Sequence, residues 1–588
     1  MTAEPAAGRP RLRPGVAVTP LREGLHLRGR RTSLTLEGSR SLPALWEVLS
    51  ARLAGGPPAD ADPARPEPDA GRPGAATGQP HPMAGHPKLE AALATVTARL
   101  REHGLLVDRF DDAEPPPWPG SVAEHPGAAA TALAAARPVV AAADPDDGTA
   151  HAVARALARG GARPTVVADA SLPAGQVLVV AGEPPVAVGL RCGADGGFVT
   201  APADPTRTRA DLAALAERLH PDSARGHDGP APRTLPPLLA AATAQRLLCA
   251  VAGLPDPGDP ADNPRLLPGR PAVLVAGTRP PHAEHRPWAA GPGPAGEPPE
   301  DLDAALRRVA ALGDPLLGVL DAPAPGDLPQ LPTALATCRT PDGLLVAGAA
   351  RTDLARLAAA VRAAELQLAA VDPGAAGTAG AAPPVTVGAG PAHALGRALR
   401  RAALAELAEL ADLADPAAST ADEAQPGARW REHPQARHWT AALARRLGRN
   451  ADLTVRRLAG SAFLATAEGS PAVEATAADA VAVAALGALT RLAARDLGPA
   501  RVHHTVFDGA AAPLAAAGRP LADWMDGGWT ARWLAELADR EADLQTALQA
   551  LTGLRTAPWQ PRTAAAHPPA DALAGCGFTV LVPVGDRR

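Results

Sequence analysis

Apolar and polar positions change rhythm several times along the chain, and each change marks an element. Within residues 14–37, three short stretches read as strands between turn signals: Val16-Ala17-Val18, Leu25-His26-Leu27 and Thr32–Glu37, punctuated by Glu23-Gly24 and Gly29-Arg30. In the last of these, Leu34 and Leu36 alternate with Ser33, Thr35 and Glu37, the period-two pattern of a half-buried strand. Ser41 then caps a helix with Pro43 in its first turn and Leu42, Leu45, Trp46, Leu49 and Leu53 at helical spacing. A second helix is predicted over 88–103, with Leu89, Leu93, Val96 and Leu100 on one stripe and His103-Gly104 at its end. These elements predict a small winged-helix-like domain over residues 1–110. A Pro/Gly/Ala/Asp stretch without periodicity at about 55–86 reads as a disordered insertion.

From about 137 the rhythm becomes strand–helix–strand. Residues 138–142, 165–167 and 176–180 read as strands and Ala150–Arg159 as a helix, which predicts a parallel sheet. Leu212–Leu219 and 236–253 read as helices, Ala272–Val275 as a strand and 278–300 as loop, giving an α/β domain over 137–295. Residues 301–588 alternate long Ala/Leu/Arg helices with short strands such as 455–458 and Phe578–Val582, an α+β pattern, with a loop expected at 412–428. The fold class is therefore α/β and α+β, multidomain.

Composition narrows the chemistry. Sixty-seven prolines and 57 glycines stand beside nine Trp, five Phe and no Tyr, so cores must be built from Leu, Val and Ala. Lys88 is the single lysine among 57 basic residues, as GC-rich codon usage would give. It begins a helical pattern, a place that suits neither a phosphate-binding loop nor a Schiff base. Net charge is −5 and aromatics are few, so nucleic-acid binding is not expected. No uninterrupted run of about 18 apolar residues and no apolar export signal are found, so a cytoplasmic location without a membrane span is expected. Cys192, Cys249, Cys338 and Cys576 lie far apart, which excludes a local four-thiolate zinc site.

A small sheet offers an unpaired edge to which an extended peptide can add. Eight arginines in residues 1–40 (Arg9, Arg11, Arg13, Arg22, Arg28, Arg30, Arg31, Arg40) face Glu4, Glu23 and Glu37, an excess that favours an acidic peptide or forms a solvated charged face. The run Arg13-Pro14-Gly15-Val16, Gly24–Gly29 and Leu34–Gly38, followed by a leucine-rich helix, resembles the start of the ThiF-like leader-peptide-binding partners of azole and thiopeptide cyclodehydratases. The resemblance implies a peptide recognition element, with a precursor leader pairing along Thr32, Ser33, Leu34, Thr35, Leu36 and Glu37. That leader would lie on the helix over 88–103, near Leu89, Val96 and Leu100.

Residues 137–290 are similar to the family's ThiF-like domain, whose catalytic members carry a glycine-rich ATP loop after the first strand. Here that place reads Ala141-Ala142-Ala143-Asp144-Pro145-Asp146-Asp147-Gly148, which would repel a triphosphate. The segment 276–288 resembles the stretch where relatives hold a zinc cysteine pair, but it carries Trp288 and small residues, with His282 and His285 nearby. No zinc is expected.

Beyond 301 the chain resembles the YcaO fold, whose helices present glutamates to Mg²⁺ and ATP. Glu365 matches one of them, and Glu406 and Glu409 at i, i+3 match a second pair, while Leu368 and Ala369 stand where a Glu-Arg pair should be. Where active members have a proline-rich C-terminus, this sequence reads Pro583–Arg588. The reading is a noncatalytic, cofactor-free scaffold that presents a precursor peptide to a partner YcaO-type cyclodehydratase. One alternative is a fused ATP- and Mg²⁺-dependent cyclodehydratase forming azolines from Cys, Ser or Thr. Another is an unrelated interaction protein. His503-His504 with Asp508, or His433 with His438, shows no base–nucleophile spacing that supports hydrolytic or metal chemistry.

Overall fold

The computed structural model describes residues 9–29, 32–55, 87–109, 117–219, 233–291, 293–371, 385–413, 428–497, 502–518, 528–560 and 568–584. The stretches 56–86 and 414–427, read above as insertion and loop, lie outside them, as do Arg30, Arg31 and the final four residues. The chain forms two compact units, residues 1–212, 229–257 and 277–279 in one, and 213–228, 258–276 and 280–588 in the other.

The first unit opens with strand β1 (Arg9–Leu12), then the meander β2 (Ala17–Leu21), β3 (Gly24–Arg28) and β4 (Ser33–Glu37), in the antiparallel order β2-β3-β4. Helices α1 (Leu42–Gly55) and α2 (Pro87–Glu102) follow, and β5 (Leu106–Arg109) returns to pair antiparallel with β1. The core is leucine: Leu25, Leu27, Leu34, Leu49, Leu53, Leu93, Leu100 and Leu105, with Val96. Pairing of β1 with β5 departs from the sequence reading. An Arg-Pro-Arg-Leu strand has almost no apolar rhythm, and its partner lies about a hundred residues away. Arg13 fastens the closure, donating from Nε to Gly104 O at 2.8 Å and from Nη1 to Ala123 O at 2.6 Å.

Short helices α3 (Pro117–Val122) and α4 (Pro126–Ala135) lead to β6 (Val139–Ala142), α5 (Gly148–Arg159), β7 (Thr165–Ala168), β8 (Gln176–Ala181), β9 (Val186–Cys192) and β10 (Gly196–Val199). Their order is β10-β9-β8-β6-β7, with α7 (Leu235–Val251) packed on α5 and β9 after α6 (Pro205–Leu219). The parallel sheet expected here is corrected. Only β6–β7 is parallel, while β6–β8, β8–β9 and β9–β10 are antiparallel. A parallel pair needs a crossover of a dozen or so residues, and only α5 supplies one in this run. The links after β8 and β9 are four and three residues long and can only make hairpins.

In the second unit, β11 (Ala272–Thr278) is followed by β12 (Pro281–Pro287), a strand in the segment read as loop. Its prolines sit at the two ends of the strand, where a lost ladder donor matters least. The main core then grows on α8 (Leu302–Leu312), β13 (Ala334–Thr340), β14 (Gly343–Ala349), α9 (Thr352–Val371), β15 (Thr386–Gly388), α10 (Pro391–Leu413) and α11 (Pro434–Leu447). A meander β16 (Leu453–Ala459), β17 (Ala462–Ala467), β18 (Ser470–Glu474) precedes α12 (Ala477–Asp496) and β19 (Val502–Val506). The chain finishes with α13 (Ala512–Ala517), α14 (Trp529–Thr552), β20 (Thr556–Pro558), α15 (Pro568–Gly575) and β21 (Thr579–Pro583). Strand β19 joins β14 in parallel, and β21 lies between β15 and β20.

Helix α12 is apolar nearly all round because it packs against β14, β17, β18, β19 and α11 at once. Thr476 caps it, its Oγ1 accepting from the Asp479 N–H at 3.1 Å. By length and composition α12 could cross a membrane, yet 72% of its apolar window is buried inside the protein. No unbroken apolar run marks it in the sequence, because Asp479 and Arg491 interrupt the helix.

Contact between α12 and the sheet is set by Gly348 on β14, where a Cβ would fall 1.8 Å from Thr490 Oγ1. Gly348→Ala should therefore lower stability by about 1–3 kcal/mol through overpacking, read as a lower urea midpoint at unchanged m-value.

Candidate functional site

Four arginines and four carboxylates meet where α9, β15, α10, β18 and α14 converge. Helix α10 carries Arg397, Arg400 and Arg401, spaced i, i+3, i+4 and therefore on one face. Arg397 Nη1 donates to Glu365 Oε1 at 2.6 Å and also to Val387 O. Arg401 Nη2 spans both Glu365 oxygens at 2.9 and 2.8 Å, Arg362 Nη1 reaches Oε2 at 3.0 Å, and the Val387 N–H donates to Oε1 at 3.1 Å. Glu365 is 0% exposed. Burial pushes its carboxyl up, but Arg397, Arg401 and Arg362 together outweigh burial and hold it down at about 2.

A second cluster lies one helical step along. Arg400 pairs with Glu474 on β18 (Nη2–Oε2 2.7 Å, Nε–Oε1 3.1 Å) and with Glu541 on α14 (Nη1–Oε1 2.8 Å, Nη2–Oε2 2.6 Å). The Gly509 N–H adds a bond to Glu474 Oε1 at 2.9 Å. Two carboxylates thus share one guanidinium. Burial lifts Glu474 to about 7 against the pull of Arg400, with Glu541 adding to the lift. Arg397 Nε also faces Asp508 Oδ2 at 3.5 Å. His393 on the same helix is buried, and burial followed by Arg397 lowers it to about 3, so the ring is neutral and Nδ1 accepts from the Ala389 N–H at 3.1 Å.

Beside these clusters opens a cavity of about 450 Å³ lined by Arg397, Arg400, Arg401, Arg491, Glu474, Asp508 and the turn from Gly469 to Ser470. Mg²⁺ needs carboxylate oxygens free to ligate it. Glu365 has spent its oxygens on three arginines and a backbone N–H, so it does not fit that role. Glu406 is half-buried on α10, six residues beyond Arg400, and the cavity lining includes neither it nor Glu365. Glu409 belongs to the same helix, its side chain outside the described set. No motif in the sequence marks Arg397, Arg400 and Arg401; their i, i+3, i+4 spacing is the one signal that sets them on a common face.

In the first unit, Asp147 caps α5, its Oδ1 accepting from the N–H groups of Thr149 at 2.7 Å and Ala150 at 2.9 Å. The helix N-terminus after β6 is occupied by the protein's own carboxylate. His282 and His285 both lie on β12, and Trp288 after it is buried. Burial raises the thiols of Cys192 and Cys576 to about 11 and of Cys338 to about 12. Among the described residues, no group of three or more His, Cys, Asp and Glu could hold a metal ion.

Among the residues expected to take a peptide, β4 is the last strand of its sheet, with Ser33, Thr35 and Glu37 exposed and Leu34 buried beneath. Thr32 donates from Oγ1 to His103 O at 2.7 Å, and His26 Nδ1 lies 2.8 Å from Thr35 Oγ1 on the outer face. Leu36 and Leu89 are partly buried at the margin of the core. Val96 and Leu100 lie inside it, Leu100 at 0% exposure, so they support the sheet from within.

No protein-family model matches the sequence, and no curated protein matches it. Among solved structures, the chain is similar to a heterocyclase in complex with substrate and cofactor, at 13% identity and a TM-score of 0.32 over 56% of this chain and 47% of that one. It is also similar to the heterocyclase TruD, at 12% identity and a TM-score of 0.39 over 98% of this chain and 94% of that one. The chain spans about half the length of the first. At identities and scores this low, the likeness assigns no chemistry.

Removing Glu365 leaves its arginine partners buried without their counter-charge, so Glu365→Gln should cost about 3–5 kcal/mol. The pH dependence has a definite sign. Because the folded carboxyl is held below its ordinary 4.5 at about 2, its contribution is present above pH 4.5 and lost as pH falls through 2. Urea titrations between those values should show stability falling with acid in the native chain and a flatter acid limb in Glu365→Gln.

Proposed function

We propose that this chain is a noncatalytic capture protein: its N-terminal domain holds an extended, acidic leader segment of a ribosomal precursor peptide and presents it to a separate cyclodehydratase. The observation that carries the reading is β4, the terminal strand of a three-stranded sheet, with polar side chains outward and a leucine core beneath. An incoming strand finds backbone donors and acceptors there, and alternate side chains reach the apolar margin at Leu36 and Leu89. The other edge strand, β2, contains Pro20 and lacks one ladder donor, which favours β4. The azole or thiopeptide setting rests on the resemblance of the N-terminal segment.

The noncatalytic half of the reading is supported by the buried guanidinium network. In the rival reading, a fused ATP-dependent cyclodehydratase, Glu365, Glu406 and Glu409 hold Mg²⁺. Against it, Glu365 is fully engaged by Arg362, Arg397 and Arg401.

A fluorescently labelled acidic leader peptide should bind the full chain in the micromolar range by anisotropy, without ATP. Leu36→Pro, which deletes a ladder donor in β4, should abolish the signal while melting and near-ultraviolet circular dichroism remain those of a folded protein. Absence of binding to every precursor encoded nearby would remove the reading. ATP consumption stimulated by the precursor and lost in Glu406→Gln would establish the rival.

A further inference from the structure

The cavity beside α10 has an electrostatic composition that the buried network does not use up. Arg362, Arg397, Arg400 and Arg401 are matched by Glu365, Glu474, Glu541 and Asp508. A fifth arginine, Arg491 on α12, also lines the cavity, and its buried Nε has no hydrogen-bond partner. Glu468, whose carboxyl Arg491 helps to hold below its ordinary value, makes its hydrogen bonds elsewhere: its oxygens accept from Arg449, at 2.9 and 2.8 Å, and Oε1 also accepts from the Asp452 N–H. Opposite in sign, Asp508 uses Oδ2 toward Arg397, and its buried Oδ1 has no partner.

Buried polar atoms are nearly always satisfied, so an unpaired donor and an unpaired acceptor on residues that line one cavity mark places for a ligand. The turn beside Arg491 is bare backbone. Gly469 has a φ of +74° and its absent Cβ would lie 3.4 Å from Arg491 Nη1, so a side chain there would crowd the guanidinium. Leu404, Val483 and Val506 supply an apolar wall, and about 450 Å³ suits a small molecule.

We propose that this cavity binds a small zwitterion, a free amino acid or the end of a short peptide, without a divalent metal. Its carboxylate meets Arg491, and its ammonium or other N–H donor meets Asp508 Oδ1. An unpaired donor calls for a carboxylate and an unpaired acceptor for an N–H, a pair of opposite charges that leaves the net charge of the cavity unchanged; a phosphate dianion would meet Asp508 with like charge in a buried setting. This site lies wholly in the second unit and stands whether or not the first unit captures a leader.

Isothermal titration calorimetry on the full chain in EDTA provides the test, with glycine, acetate, methylammonium, inorganic phosphate, the dipeptide Gly-Ser and its C-terminal amide as probes. Glycine or Gly-Ser should bind, with acetate, methylammonium and the amide each weaker by about tenfold or more, because each lacks one charge-assisted bond. The tighter of glycine and Gly-Ser identifies the source of the carboxylate. Arg491→Ala should weaken the zwitterion by about tenfold or more. Asp508→Ala should erase the preference for glycine over acetate, a readout independent of the first variant. No heat with millimolar glycine or Gly-Ser, equal binding by Arg491→Ala, or binding of phosphate in preference to carboxylates would overturn the proposal.

Discussion

Ion pairing in the absence of water is the constraint on which the second unit depends. Glu365, Glu474 and Glu541 are each at most 5% exposed, and each has a guanidinium of α10 within hydrogen-bond reach, Glu365 also that of Arg362 on α9. Desolvating charges is costly, so such a cluster is weak evidence for extra stability. Its value is geometric. Arg397 and Arg401 fix α10 to α9 and β15, and Arg400 fixes it to β18 and α14. A shift of α10 by one residue would strand several charges at once, which makes its register far more specific than alanine-rich packing could.

The same constraint limits what the carboxylates of this chain can do chemically. A carboxylate can ligate a hard cation or neutralise buried arginines, but its lone pairs do not serve both. Asp147 behaves likewise in the first unit, where a side-chain oxygen satisfies N–H groups that a phosphate would otherwise use. In both places a buried or helix-terminal charge is answered by an internal partner of opposite sign.

Much of the local structure was legible in the sequence. Period-two alternation at 33–37 and the leucine stripes of α1 and α2 mark elements whose neighbours are close in the chain. What failed was long-range or composition-masked: β1 finds β5 beyond two helices, β12 hides between prolines, and the sheet after β6 runs antiparallel because its links are short. The site was harder still. Glu365, expected as a metal ligand, does lie in the cluster, but its partners are arginines in a chain where arginine is common. Leu100 and Val96 belong to a stripe whose pattern is the same whether it faces a guest or the domain's own core; only burial distinguishes them.

Strand β19 completes the β13–β14 sheet by a parallel pairing between residues roughly 150 positions apart. During synthesis, β14 leaves the ribosome long before its neighbour exists, and α12, the apolar cover for both, also comes late. Closing so distant a contact is slow, and an unpaired strand edge is a template for other chains. Production of this protein should consequently be limited by what happens to nascent β14 while it waits, so chaperone supply and translation speed across residues 350–500 would govern yield more than the stability of the finished molecule.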